Sequence, residues 1–394
     1  MIKIFGASFD PLDVPERVDI KLAYINWLAM NPVVDDDFSD PYDFIEKALK
    51  NKVPVTDEIK WIGQFPVASW LRPKPSIADL RHVRRDNYTQ FLDQDGCREY
   101  YKKLLDYLAK EVGVAIPVMI GVDHCLTGAV LQYLRESYGE CNVLIFDSHC
   151  DLIDLETRKN YFDSSSMGLG NLIGEKDIYE CGSFLHNLLN QGIINPEKLW
   201  IIGAQDLDQF KQDAEALYSE KILPWIKRGM HVVSKDDCIR NGLPDEIRGP
   251  TYVSFDMDLG SLACVFAARF LNYLGLNDKQ LRVLVDQLSK KVKSSEIELI
   301  GLDIMEMDVH FLGETIEGYQ DYSGEIAEEI ILKVLYDNFL HKKGGSTQVN
   351  SGLDGFAKSR TYPGRSSKRK RDVRPQNCMQ LRLSDEKPPV HNVG

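Results

Sequence analysis

The sequence predicts an α/β protein in three layers, α/β/α, around a mostly parallel central sheet. Three observations predict it. Short apolar runs lack the polar alternation of a half-exposed strand, so they read as strands covered on both faces. Amphipathic stretches of helical period separate them, and helical crossovers join parallel strands. Acids and histidines cluster where the apolar runs end, and an open parallel sheet binds ligands beyond the carboxyl ends of its strands.

The elements follow in order. "VAIPVMIGVDH" reads as a strand ending near Gly121, and "LTGAVLQYLRESYG" as the helix after it. "CNVLIFDSH" and "KLWIIGAQD" are the next strands. A helical "DAEALYSEKILPWIKRG" precedes the strand "MHVVSKDD". "TYVSFDMD" and "IELIGLDIME" complete the strands, and "GEIAEEIILKVLYDNFL" reads as a last helix stopped at "HKKGG".

Of the 394 residues, 43% are hydrophobic, enough for a sizeable core. The formal net charge of −13 hides a split. Residues 342–394 carry 12 Lys and Arg against 4 Asp and Glu, which leaves 35 against 56 in residues 1–341. The acidic body disfavours nucleic acid and anionic membrane surfaces and favours small cations or metal ions. The basic stretch is rich in Gly, Pro and Ser and is expected to be a disordered C-terminal tail, with "KRKR" a solvated charge run. Eight cysteines without a C-x-x-C pair suggest reduced thiols and a cytoplasmic protein. The start, "MIKIFGASFD", has no secretory h-region, and no apolar run reaches the roughly 18 to 20 residues that span a bilayer.

The strand ends supply the chemistry. The first gives Asp123 and His124, the second Asp147, His149 and Asp151, "SFDMD" gives Asp256 and Asp258, and "GLDIME" gives Asp303 and Glu306. A lone Asp in such a place caps a helix more often than it binds metal. Coincidence across three strands argues for metal. Crowded carboxylates cannot all stay ionised without a cation between them. Oxygen donors with one or two imidazoles suit Mn²⁺ or a similar divalent ion. Six ligands fit two ions about 3.5 to 4 Å apart. The period of two works because alternate residues of an extended chain point the same way, which aims Cys125 and Cys150 elsewhere.

At these residues the chain resembles the ureohydrolase family of arginases and agmatinases. Its motifs G-G-D-H, D-A-H-x-D and S-x-D-x-D are similar to "GVDH", "DSHCD" and "SFDMD", in the same order, and its G-x-D-x-x-E to "GLDIME". "IIGAQDLD" resembles the arginase G-L-R-D-V-D, and the opening "IFGASFDP" is loosely similar to the family's first strand. The resemblance runs over roughly residues 116–335 and implies an arginase-like catalytic domain over 1–341. It implies two Mn²⁺ ions. One sits among His124, Asp147, Asp151 and Asp256, the other among Asp147, His149, Asp256 and Asp258, with Asp147 and Asp256 bridging. Family members attack a guanidinium carbon with a metal-bridging hydroxide and release urea or a related product. On that basis Asp151 orients the nucleophile, Glu306 holds the cationic guanidino substrate and Asp208 receives a substrate amine. A homo-oligomer is expected on the same ground.

The chain also departs from the family. Ser261 and Leu262 replace a D-P pair, and the loop after them, "DMDLGSLACVFAARFLNYLGL", is apolar instead of Gly-Thr-Pro-rich. No histidine lies between residues 150 and 185, where arginases and agmatinases carry a catalytic one. Met167 or a neighbour falls in that slot, and methionine cannot shuttle protons; His186 and His310 are the candidate substitutes. Ile153 stands where an arginase reads the substrate's α-carboxylate, which argues against L-arginine. An agmatinase-like hydrolase of a linear amidine is the expected function. The alternatives are an amide hydrolase with one zinc and a non-catalytic member that binds metal or a partner.

Overall fold

A computed structural model of the protein describes residues 1–31, 38–50, 52–53, 57–152, 178–205, 217–316 and 318–338. The basic tail at 342–394, together with Ile153, Met167, Asp206 and Asp208, lies outside the described residues.

Eight strands form one sheet: β1 Ile2–Ala7, β2 Ile59–Gln64, β3 Ile116–Gly121, β4 Asn142–Phe146, β5 Leu199–Ala204, β6 His231–Ser234, β7 Gly249–Asp256 and β8 Ile297–Met305. Their order is β2-β1-β3-β8-β7-β4-β5-β6, and every pairing is parallel. A two-stranded antiparallel ribbon, Thr315–Ile316 with Tyr319–Gln320, stands apart. The expected three-layer α/β architecture is therefore present, and the opening strand β1 sits inside the sheet between β2 and β3.

The period of two divides each strand between two apolar layers. In β4, Leu144 and Phe146 face one layer while Val143 and Ile145 face the other. The first layer is closed by helices Pro41–Leu49, Lys235–Asn241, Asp278–Lys293 and Ser323–Ile330. The second is closed by Arg85–Asp93, Gly96–Tyr107, Thr127–Tyr138, Phe184–Asn190 and Leu217–Lys227. The helix starts are written locally. Asp40 accepts from the backbone N–H of Asp43 ahead of Pro41, and Asn277 and Gln280 form a reciprocal capping box.

Two features of this frame matter for function. The strands β3, β8, β7 and β4 are contiguous, so the motif-bearing strand ends meet in the middle of one sheet edge. The parallel register pairs Phe146 with Phe255, their rings stacked 4.2 Å apart, which places Asp147 beside Asp256 at the next position.

The loop after β7 is apolar as expected, but most of it is interior. Val265, Phe266, Ala267 and Ala268 are buried, and Ala268 bridges antiparallel to Met307 beyond β8. The loop closes on itself where Ser261 N–H donates to Leu276 O at 2.8 Å and Leu276 N–H to Leu259 O at 2.9 Å. This needs a bare backbone at Gly275, where a Cβ would lie 2.3 Å from the carbonyl carbon of Gly260. Gly275→Ala is therefore expected to destabilise the fold by about 1 to 3 kcal/mol, read as a drop in the thermal midpoint of several degrees.

Candidate metal centre

The donors come from three of the four central strand ends. Asp147, Ser148, His149 and Asp151 leave β4, Asp256 and Asp258 close β7, and Asp123 and His124 follow β3. Each departure uses the same local device. The first Asp accepts a hydrogen bond from the backbone N–H two residues on: His149 N–H to Asp147 Oδ1 at 2.7 Å, Asp258 N–H to Asp256 Oδ1 at 2.9 Å and Cys125 N–H to Asp123 Oδ1 at 3.0 Å. One oxygen of Asp147 and of Asp256 is thereby spent on the turn and the other is left for the site.

All six predicted ligands converge. Three carboxylate oxygens surround Nδ1 of buried His124: Asp151 Oδ2 at 3.1 Å, Asp256 Oδ2 at 3.1 Å and Asp147 Oδ2 at 3.4 Å. His149 Nδ1 lies 2.8 Å from Asp258 Oδ2 and 3.7 Å from Asp147 Oδ1. Two overlapping donor groups result, His124–Asp147–Asp256 and Asp147–His149–Asp258, with Asp147 common to both. His124 Nε2 is 2.9 Å from Ser254 Oγ, which fixes the ring and turns Nδ1 to the carboxylates. Ser148 Oγ donates to Asp258 Oδ1 at 2.8 Å.

The electrostatics ask for cations. Burial pushes Asp147 and Asp256 well above the usual carboxylate range, and neighbouring acids push them further, Asp151 and Asp258 on the first and Asp258 and Asp147 on the second. Burial alone would lower His124, but its three carboxylates outweigh that and raise it well above the ordinary imidazole value. Asp258 is buried too, yet His149 and Ser148 hold it low. His124 Nδ1 and Asp147 Oδ2 are buried without a hydrogen bond among the described residues. Oxygen and imidazole donors aimed at common points, with orphaned buried atoms, fit divalent ions. His149 is 48% exposed at its side chain, so the centre opens to solvent on that side.

Glu306 and Asp303 part company. Asp303 is a buried acceptor for Thr127 Oγ1, at 2.6 Å, and for the Tyr252 hydroxyl. Glu306 meets Arg269, whose Nη1 lies 3.2 Å from its Oε1. Burial raises the Glu306 carboxyl, Arg269 opposes this, and Asp256, Asp123 and Asp258 raise it further. Cations among the ligands would remove part of that last effect.

Arg269 belongs to a buried ionic network absent from the sequence reading. Its Nη2 lies 2.9 Å from Asp123 Oδ2 and 3.3 Å from Asp10 Oδ1. Asp10 also pairs with Arg17 at 3.0 Å and Lys21 at 3.3 Å, and Arg17 reaches Asp308 at 2.5 Å. A signal existed: one Arg in the apolar run "CVFAARFL", and Arg17 and Lys21 on one helical face.

The two histidines considered as proton shuttles are engaged elsewhere. His186 contacts Asn190 at 2.9 Å. His310 contacts Pro73 O at 3.0 Å, and burial pushes it down to about 4. Cys125 and Cys150 are buried in the apolar layer, as the alternation requires.

Fold and donor set define an α/β protein with a candidate metal site at the carboxyl edge of its sheet. The arginase family model matches residues 61–315, and the chain belongs to that family. It is 25% identical over 197 residues to a mitochondrial guanidino acid hydrolase of Homo sapiens, covering 46% of this chain and 45% of that one. It is 24% identical over 193 residues to a mitochondrial agmatinase of Gallus gallus, covering 46% of each. The chain thus spans less than half the length of either relative. The solved formimidoylglutamase of Bacillus subtilis shares the fold, with a TM-score of 0.51 and 14% identity over 86% of this chain and 88% of that one.

Two outcomes follow. Ser254→Ala frees the His124 ring and should weaken manganese binding about 10- to 100-fold in a metal titration, with the fold retained. Asp147, Asp256 and His124 all hold protons more tightly than usual in the metal-free protein, and those protons compete with metal. Manganese affinity should therefore rise with pH, and binding at pH 7 should release protons. Calorimetry in buffers of different ionisation enthalpy reads that release, and a pH-independent affinity would contradict it.

Proposed function

We propose that the protein is a metal-dependent hydrolase of a linear amidine, agmatinase-like, holding two Mn²⁺ ions. The observation that carries the reading is the convergence of His124, Asp147, His149, Asp151, Asp256 and Asp258 on one solvent-accessible edge. The family membership and the relatives named guanidino acid hydrolase and agmatinase support it.

Asp147 and Asp256 would be shared between the ions, with His124 and Asp151 completing one set and His149 and Asp258 the other. Other divalent ions could replace manganese in such oxygen-rich sets. When bound, the cations neutralise the crowded carboxylates and acidify a shared water so that it is a nucleophile at neutral pH. The protein's own groups do the rest. Asp151, the most exposed of the carboxylates around His124, orients the attacking water. Glu306 holds the substrate's cation by charge-assisted hydrogen bonds. Asp208 takes a substrate amine. Water adds through its oxygen to the amidine carbon, a proton from that water passes to the departing nitrogen, and the C–N bond to that nitrogen breaks, leaving urea or a related amide and the free amine. The cytoplasmic reading rests on the eight cysteines without a C-x-x-C pair. A homo-oligomer is part of the same reading, on the ground of the family membership.

A second reading, a member that binds metal or a partner without turnover, is favoured by one observation: both described shuttle candidates, His186 and His310, have other partners. One screen separates the two. Manganese-loaded protein should release urea from at least one of agmatine, arginine, guanidinobutyrate, guanidinopropionate and guanidine, or formamide from formiminoglutamate. Asp256→Asn should cut that rate at least about 100-fold, beyond the usual effect of outer-shell changes. No release from any compound would sink the hydrolase.

A further inference from the structure

We propose that Arg269 is a positioning residue: it holds Glu306 by one carboxylate oxygen and leaves the other for a guanidinium substrate. The inference rests on the reading above, in which Glu306 takes the substrate's cation.

The geometry is a closed ring of three residues. Arg269 N–H donates to the Glu306 carbonyl at 2.8 Å, and Glu306 N–H donates to Val122 O at 3.1 Å. Arg269 Nη1 then donates to both Val122 O, at 3.0 Å, and Glu306 Oε1, at 3.2 Å. Glu306 is thus fixed through its N–H, its carbonyl and one side-chain oxygen. It needs that hold, because its φ of 61° lies in the left-handed region that a glutamate enters only under constraint. Oε2 is buried with no hydrogen-bond partner among the described residues. A buried carboxylate oxygen left without a donor is costly unless a ligand supplies one.

The same guanidinium reaches the ligand segment. Its Nη2 lies 2.9 Å from Asp123, whose other oxygen caps the turn that carries His124. Arg269 is buried, with a side-chain exposure of 0%, so it touches the interior and not the solvent-side opening. The hydrogen bonds come from Nη1, to Val122 O and Glu306 Oε1, while Nη2 meets Asp123 as an ion pair. A planar guanidinium presents these faces together, whereas an ammonium is a point charge.

The test uses the full chain loaded with manganese, and agmatine as probe. Affinity is measured by calorimetry, and KM and kcat by urea release, for wild type, Arg269→Met, Arg269→Lys, Glu306→Gln and the double variant Arg269→Met/Glu306→Gln. Arg269→Met should weaken agmatine binding about 10-fold or more with manganese content unchanged. The loss should fall on KM more than on kcat, and Arg269→Lys should recover part of it. The double variant should bind no more weakly than Glu306→Gln alone, because Arg269 acts through Glu306. Additive losses, unchanged affinity, or a loss explained by missing manganese would overturn the proposal. So would tighter binding, which would make Arg269 an occupant of the substrate's place. Wild type that binds no agmatine overturns it as well. If Arg269→Met does not fold, Arg269→Lys with Glu306→Gln carries the same cycle. A chain that shows the coupling in binding yet releases no urea keeps the positioning role and overturns the hydrolase.

Discussion

Four carboxylates, Asp147, Asp151, Asp256 and Asp258, crowd against two imidazoles at one edge of the sheet, and three of the four are buried. Like charges at that spacing in a poorly screened interior cannot all persist without compensation. In the metal-free protein, burial and the neighbouring acids raise Asp147 and Asp256 well above the ordinary carboxylate range, and the same carboxylates raise His124 against its burial. Divalent cations supply the compensation better, since they neutralise the carboxylates without occupying the ring nitrogens with protons. The surrounding structure maintains this arrangement. The β4–β7 register sets Asp147 beside Asp256, the turn hydrogen bonds orient both, Ser254 holds the His124 ring, and Asp151 accepts a φ of 47° to join them.

A second buried ionic cluster lies close by and shows the contrast. Asp10, Asp123, Glu306 and Asp308 are met by Arg17, Lys21 and Arg269 at distances of 2.5 to 3.3 Å. That cluster carries its own cations, and the metal centre does not. Buried pairs of this kind add little net stability but cost much when one partner is removed. Their service is to fix geometry. Helix Pro15–Met30, the start of the chain after β1, the turn after β3, the loop after β7 and the end of β8 are tied at one point.

Much of the fold was legible in the chain because its signals are local. Runs such as "NVLIF" and "LWIIG" are apolar without alternation, and they became strands buried on both faces. The convergence of the six candidate ligands was legible because each motif couples a strand end to a short turn, and the parallel topology then brings the ends together. Arg269 was not legible as a partner of Glu306, because 37 residues and two elements separate them and the antiparallel bridge of Ala268 to Met307 is what unites them. Charge alone marked it as unusual, and where a lone arginine finds its acids is a tertiary fact. For His186 and His310, named as substitutes for a missing histidine, the contacts lie with Asn190 and Pro73 O, which nothing in the sequence foretells.

The central claim is that this edge holds two ions on six donors, two of them shared. Anomalous scattering at the manganese edge, from crystals of the manganese-loaded protein, tests it most directly. The account predicts two peaks. One would lie within reach of His124, Asp147, Asp151 and Asp256, and the other within reach of Asp147, His149, Asp256 and Asp258. A single peak, or none at these residues, would contradict it.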